Sequence, residues 1–327
     1  MFNKLFRTIS TTLILCSVLL TYGCTSEKKK DRLAIGFVEA IEDPTLDQAK
    51  EGFFEGLKEG GFSQEIGNIE VIKKNAQGDF TSLVQAIDFL LNKPVDLLAT
   101  SASITTVTAI KKNHRVPVFM MVAPEPGKAG LLDREGNMPK NLYGVYENLK
   151  YIDTSFFLIT ELMPNIKVLG ISYNPAEPQS SDAFNHMKIL AKNSGIRLEA
   201  VAISNSSETS QALTALTERH IQAFFAMPDN TVFASFELIK KICDSSKIPI
   251  FTSEAGLVSR GALCAYGADL FEWGKQSGRL AVKYLSGERK QSNLLEEVKI
   301  RRRVFNPIVA KNYTELKLPG NYISVAK

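Results

Sequence analysis

The chain has 327 residues, 44% of them apolar and 23% charged, with 21 Gly and 13 Pro, a globular composition long enough for two domains, which excludes a disordered or fibrous chain. Lys and Arg outnumber Asp and Glu by only 39 to 35, and two of the basic residues, Lys4 and Arg7, fall in a segment read below as removed, so the remainder is close to neutral. Nucleic-acid binders concentrate positive charge on one face or stripe, and nothing in this balance points that way.

Residues 1–23 read as a lipoprotein signal peptide. Lys4 and Arg7 make a basic start, and the uncharged apolar run over 9–22 is shorter than the roughly 20 apolar residues that span a bilayer. The run ends in Leu20-Thr21-Tyr22-Gly23-Cys24, which resembles the lipobox of bacterial lipoproteins, with Cys24 as the lipidated mature N-terminus. Thr21 departs from the usual aliphatic residue there, and an ordinary cleaved signal or short signal anchor is the alternative. Residues 24–31 are polar and charged without an apolar face, a flexible tether. The expected location is therefore extracytoplasmic, lipid-anchored to a bacterial membrane. ATP and NAD are not at hand there, which argues against kinase and dehydrogenase chemistry.

From residue 33 onward, β-rich runs alternate with amphipathic stretches. A strand over 33–38 leads to a helix opened by Asp43-Pro44 and stopped by Gly60-Gly61, with Leu46, Ala49, Phe53 and Leu57 at helical spacing. Strands over 69–72, 95–99 and 116–122 and helices over 81–91 and 103–113 continue the pattern. A second series has strands over 168–173, 198–203, 223–227 and 248–251 and helices over 181–193, 207–220 and 232–245. A strand over 262–266, a helix over 270–285 and a strand over 298–302 close it. Such alternation predicts an α/β protein with two doubly wound parallel-sheet lobes. The division falls near 141–151, and the expected lobes are 32–143 plus 268–298, then 144–267 plus 299–327, with the chain crossing three times.

The templates of catalysis are missing. His114, His186 and His220 carry no cysteine or carboxylate at metal-ligand spacing, so no metal site is expected. There is no G-x-S-x-G elbow. Glu125-Pro126-Gly127-Lys128-Ala129 lacks the upstream glycine and the hydroxyl residue of a phosphate loop. Acids stand in the first βα turn where a dinucleotide fold has glycines, so no cofactor is expected and the chain is read as a non-enzyme. Arg301-Arg302-Arg303 reads as a solvated face or a partner-protein contact. Cys16 lies in the signal and Cys24 is taken by lipid; Cys243 and Cys264 fall on an apolar helix face and in an apolar strand, and their pairing is open.

In open parallel sheets, ligands bind beyond the carboxyl ends of the strands. The loops there hold Glu39, Glu42, Asp43, Ser101, Ser103, Glu125, Asn174, Glu177, Asp229, Asn230, Glu254 and Asp269. Carboxylates bind an ammonium group, and Ser or Asn beside a helix N-terminus holds a carboxylate; an amino acid carries both charges. Phe37, Tyr146, Tyr173, Tyr266 and Trp273 lie near these loops, where they either stack on a flat ligand or pack the core.

Several motifs occur together, in order: Gly36-Phe37-Val38-Glu39 with Pro44-Thr45-Leu46-Asp47, Asn75-Ala76-Gln77-Gly78-Asp79, Tyr173-Asn174-Pro175, Pro228-Asp229-Asn230-Thr231-Val232, and Arg260-Gly261-Ala262-Leu263. On these, residues 33–316 resemble the substrate-binding lipoproteins of ABC importers, in the tryptophan/tyrosine-type branch. The resemblance implies a type I periplasmic-binding-protein fold, its two doubly wound lobes joined by a hinge. It also implies closure on a small solute, an aromatic amino acid such as tryptophan, phenylalanine or tyrosine, and delivery to an ABC permease and its ATPase. Carried over by position, the ligand-binding candidates are Phe37, Glu39, Ser101, Ser103, Glu125, Tyr173, Asn174, Asp229, Asn230, Glu254 and Asp269. Three departures leave the solute open: the loop Ala40-Ile41-Glu42-Asp43 is longer than usual, Glu125 stands where Asp is expected, and Glu254-Ala255-Gly256 replaces an Asp-containing segment. A nucleoside or sugar as solute, a sensory solute-binding module and an enzyme on the same frame are the competing readings.

Overall fold

Short apolar runs build the first sheet, and the first two are followed by helices that an aspartate caps, Asp43 and Asp79. The computed structural model describes residues 32–288, 295–316 and 322–325, so the signal, tether and Cys24 expectations lie outside the described residues. Strand β1 (Leu33–Glu39) leads into α1 (Pro44–Glu59), where Pro44 starts the helix and the Asp43 carboxylate accepts from the Thr45 and Leu46 amides at 2.8 and 3.3 Å. There follow β2 (Ile69–Asn75), α2 (Phe80–Leu91), β3 (Leu97–Ser101), α3 (Ser103–Lys112), β4 (Val118–Met121) and β5 (Leu142–Tyr146). Ile35 and Phe37 pack on α1 on one face of the sheet, and Val38 and Leu98 pack among residues of α2 and α3 on the other. Register aligns Glu39 with Asn75 and Ser101, and Ser101 with Met121, along one carboxyl edge.

The second sheet starts after α4 (Lys150–Leu162) with β6 (Val168–Tyr173), α5 (Pro178–Asn193), β7 (Arg197–Ala202), α6 (Thr209–Glu218), β8 (Ala223–Ala226), α7 (Asn230–Ala234) and α8 (Phe236–Ser245). It continues with β9 (Ile250–Thr252), α9 (Ala255–Arg260) and β10 (Cys264–Ala268). The helix expected over 232–245 is broken at Ser235, whose hydroxyl donates to the Thr231 carbonyl and accepts from Thr209. Cys243 and Cys264 are buried and free.

Helix α10 (Leu270–Leu285) then returns to the first sheet. It lies directly on α1 because glycines face each other: a Cβ on Gly52 would sit 1.9 Å from the Phe271 carbonyl oxygen, and one on Gly274 would sit 1.8 Å from that of Ala49. Trp273 is core, its indole N–H donating to the Val145 carbonyl at 2.8 Å. Strand β11 (Leu295–Glu297) pairs with β5, and β12 (Arg301–Phe305), α11 (Pro307–Ala310) and β13 (Ile323–Ser324) belong with the second sheet. Of the strand expected over 298–302, residues 301–302 start β12, while 298–300 cross between the sheets. The sheet orders are β11-β5-β4-β3-β1-β2 and β13-β12-β10-β9-β8-β6-β7, every described pair parallel except β10 with β12. Because β5 runs to Tyr146, the first sheet extends three residues past the division expected after 143.

The chain passes between sheets at 147–149, at 269 and at 298–300. Arg302 and Arg303 are exposed, as a solvated face would be, but Arg301 and Arg302 also tie these crossings together. Arg301 bridges Glu147 at 2.5 Å and Glu297 at 3.0 Å, Arg302 pairs with Asp269 at 2.7 Å, and the Arg303 guanidinium lies 4.8 Å from the centre of the Tyr266 ring.

Candidate functional site

The carboxyl ends of both sheets face one cleft, which is nearly shut at its floor. A pit of about 10 Å³ is lined by Ala102, Ser103 and Val122 of the first lobe and by Glu177, Gln179, Pro228, Asp229, Asn230, Phe233 and Glu254 of the second. Beside it lies a chamber of about 640 Å³, between Ala40, Ile41, 76–80, Leu83 and Ile104 on one side and Asn174, Ala176, Glu177, 204–206, Asn230, Thr231 and Ala234 on the other. Glu177 and Asn230 line both spaces.

The polar groups of the floor are held rigidly. Asp229 caps α7 through the Val232 amide at 3.0 Å and also accepts from the Asn174 amide at 2.6 Å and from the Ser180 hydroxyl. Glu177 accepts from the Asn230 amide and side chain at 3.1 and 2.7 Å and from Thr231 at 3.3 Å. Across the cleft, the Ser103 hydroxyl donates to Gln179 Oε1 at 3.0 Å, and Gln179 Nε2 donates to the Tyr151 hydroxyl at 3.4 Å. Glu254 accepts from Ser253 on Oε1 at 3.1 Å, while its Oε2 is buried without a partner, as is the Ser101 hydroxyl.

This concentration of buried acid has electrostatic consequences. Burial pushes the Glu254 carboxyl up to about 8, and the nearby Glu147 adds to the rise. Burial also raises Glu177 and Asp229, the Asp229 charge adding to the rise in Glu177. Glu147, at the hinge, is pushed up to about 7 by burial against the pull of Arg301. Among the described residues, no cationic side chain pairs with Glu177, Asp229 or Glu254, so a cation arriving at the floor would favour the ionised form of carboxyls that burial otherwise keeps neutral. A complementary charge is also present. Helix α3 enters the cleft from the first lobe with no side chain capping its N-terminus, and such an end favours an anion. Ala102 and Val122, on the pit wall, have φ of 76° and 53°, left-handed backbone that is costly for residues with a Cβ and concentrates at functional sites.

Of the residues expected at the site, Ser103, Asn174, Asp229, Asn230 and Glu254 line these spaces, and Ser101 ends the strand just behind the pit. The others are otherwise engaged. Phe37 is fully buried in the core, 5.7 Å from the Phe54 ring, because its position on β1 turns it toward α1. The Glu39 carboxylate is held by Lys50 at 3.2 Å and by the Asn75 side chain at 3.1 Å. Glu125 is exposed. Tyr173 stacks on Phe184 with ring centroids 4.2 Å apart. Asp269 caps α10 and pairs with Arg302 in the hinge. Sequence reasoning missed Tyr151, Gln179, Ser180 and Ser253. For Gln179 and Ser180 a signal existed: Pro178 marks a helix start beyond a strand end, and the first-turn residues of such a helix face the cleft.

Among the described residues no group of His, Cys, Asp and Glu is arranged to hold a metal ion, and no helix is long and apolar enough to cross a membrane. His186 pairs with Asp153 at 2.6 Å, away from the cleft lining.

Residues 34–319 match the family model described as ABC transporter substrate binding protein. A tyrosine-binding protein of Clostridioides difficile (strain R20291) is 30% identical over 263 residues, which cover 80% of this chain and 74% of that one. The structure is similar to that of an ABC domain from Streptococcus pneumonia in complex with L-Trp, with a TM-score of 0.80 at 23% identity, covering 90% of this chain and 99% of that one. It also resembles a ligand-free, open substrate-binding protein with adhesive properties from Clostridium difficile, with a TM-score of 0.64 at 25% identity and coverage of 90% and 99%. The chain belongs to the ABC transporter substrate-binding protein family and has the type I periplasmic-binding-protein fold.

Proposed function

We propose that this family member is the extracytoplasmic binding component of an ABC importer and that its solute is an α-amino acid with a bulky, aromatic side chain, which it hands unchanged to a permease. The single observation behind the choice of solute is Glu254, a fully buried carboxyl at the cleft floor with one oxygen unpartnered and no cation beside it. An ammonium group supplies both the charge and the missing hydrogen bond. The uncapped N-terminus of α3 receives the carboxylate of the same molecule. The pit has room for about one water-sized group, so the side chain extends into the larger chamber, against Ile41, Phe80, Leu83 and Ile104.

Solute joins the lobes by touching both, and the three crossings at 147–149, 269 and 298–300 are the hinge about which they part. The names of the relatives, one tyrosine-binding and one crystallised with L-Trp, support the aromatic choice. In this reading Cys24 carries the lipid, residues 24–31 are the tether, and no bond is made or broken in the cleft.

The test is calorimetric titration of protein stripped of carried-over ligand by unfolding and refolding. L-tryptophan, L-tyrosine and L-phenylalanine are compared with tyramine, which lacks the carboxylate, and 3-phenylpropionate, which lacks the ammonium. Binding of the intact amino acids and loss of binding with both truncated compounds is the expected pattern. The chamber also carries Asn205, Ser206, Gln77 and Asp79, groups that suit hydroxyls, so nucleosides and sugars belong in the same titration. Binding of those alone would replace the amino-acid assignment.

A further inference from the structure

Arg260, the last residue of α9 in the second lobe, reaches across to the first lobe at the start of α1. Its Nη1 donates to Asp43 Oδ2 at 2.7 Å and to Thr45 Oγ1 at 2.9 Å. Its own lobe aims it: Nε and Nη2 donate to the two Glu237 oxygens at 2.9 and 2.8 Å, Nη2 also donates to the Phe233 carbonyl at 3.0 Å, and the guanidinium lies 5.2 Å from the centre of the Phe236 ring. On the other side, Asp43 is fixed as the α1 cap. Both halves of the contact are therefore pre-formed within separate lobes, and bringing them together orders little that is not already ordered.

A second observation lies one turn away on the same helix. A Cβ on Gly256 would sit 2.5 Å from Thr45 Cγ2 and 3.0 Å from Gln48 Nε2, so only glycine lets α9 approach α1 this closely. The backbone of Gly256 is not in the left-handed region, so the glycine is needed for the approach of the two lobes and not for its own conformation. Neither residue lines the pit or the chamber.

We propose that Arg260 and Gly256 form a latch that holds a share of the solute-free protein closed, so that Arg260 is a positioning residue that raises solute affinity without touching solute. Binding draws on the closed population, and apparent affinity scales with the fraction already competent. The latch is independent of what the solute is.

The experiment is small-angle scattering of the solute-free full chain in detergent-matched buffer, for the natural protein and for R260M, R260K and G256A. The latch requires a larger radius of gyration for R260M and G256A than for the natural chain, with R260K between. It also requires that raising sodium chloride from about 0.05 to about 1 M opens the natural protein and leaves R260M unchanged. Thermal unfolding of each variant separates this from a merely structural loss, since a latch moves the radius of the folded state. Once a solute is in hand, its dissociation constant rises roughly tenfold in R260M. Identical radii for all four solute-free proteins, or an unchanged radius in G256A with R260M unfolded, overturn the latch; neither result bears on which solute binds.

Discussion

Replacing Glu254 with glutamine tests the charge logic of the floor most directly. The carboxyl is fully buried and pushed from its usual 4.5 up to about 8. Its folded value lies above its unfolded one, so between these pH values the unfolded chain binds fewer protons than the folded chain, and stability falls as pH rises through the window. At about 1.4 kcal/mol per unit the loss attributable to this one group is at most about 5 kcal/mol above pH 8, and it vanishes below about pH 4.5, where both states are protonated. An ammonium ligand reverses the effect by holding the ionised form. Binding to the closed form below pH 8 therefore expels a proton, and the affinity for L-tryptophan rises with pH from about 6 to 8, by at most about tenfold per unit. In E254Q the amide mimics the protonated acid, so the folded protein keeps more of its stability at pH 8 while the affinity drops about 10- to 100-fold and its slope with pH flattens. Glu147, Glu177 and Asp229 also titrate with raised values, so the difference between natural protein and E254Q isolates the Glu254 share. Calorimetry at several pH values in two buffers of unlike ionisation enthalpy reads both slope and proton count. Equal slopes and equal proton release in the two proteins would refute the assignment.

Further expectations concern the frame. F37A empties a core position between β1 and α1 and costs about 3–5 kcal/mol in chemical denaturation, yet leaves solute affinity at low temperature unchanged, which a ring stacked on solute would not. Substituting Gly274 with valine drives a side chain into the Ala49 carbonyl and is expected to prevent α10 from docking on α1, read as loss of the cooperative unfolding transition. Removing the cation in R301M leaves Glu147 buried beside Glu254 without its partner and destabilises by about 2–3 kcal/mol; adding E147Q recovers most of the loss in the melting temperature. Cys243 and Cys264 are free thiols that burial pushes up, Cys243 to about 12, and both are expected to react with a thiol reagent only after unfolding.

What could be read from the sequence was set by period and punctuation. The helix over Leu270–Leu285 and the start of α1 at Pro44 are at the residues expected, because each has an acidic cap and an apolar stripe. Strand β5 and helices α4 and α9 were not foreseen. β5 has only five residues and contains Gly144 at φ 110°, and α9 has only six, too few for a period to show. The loops that face the cleft were legible from strand ends, and with them Ser103, Asn174, Asp229, Asn230 and Glu254. Side-chain direction within those loops was not. Glu39 ends a strand and Glu254 lies just past one, yet Glu39 meets Lys50 on the next helix and Glu254 meets no cation, a difference that strand ends alone do not reveal. The basic triple shows the same limit, since charge density alone cannot tell a solvated face from a set of hinge ties.

Two opposed interactions across the cleft fix how this protein would respond to solute. Closing the lobes engages Arg260 with Asp43 and Thr45 and Ser103 with Gln179, which favours the closed form with the floor empty. The same motion withdraws water from Glu254, Glu177 and Asp229, whose raised values show that their ionised forms are then disfavoured. At neutral pH an empty closed cleft must therefore take up protons or reopen, whereas a bound ammonium removes that penalty and leaves the latch unopposed. Positive charge at the floor thus shifts the balance toward closure without being required for it. A solute with the right side chain but no ammonium would fill the chamber and hold the lobes together less firmly, the behaviour that 3-phenylpropionate should show in scattering as well as in titration.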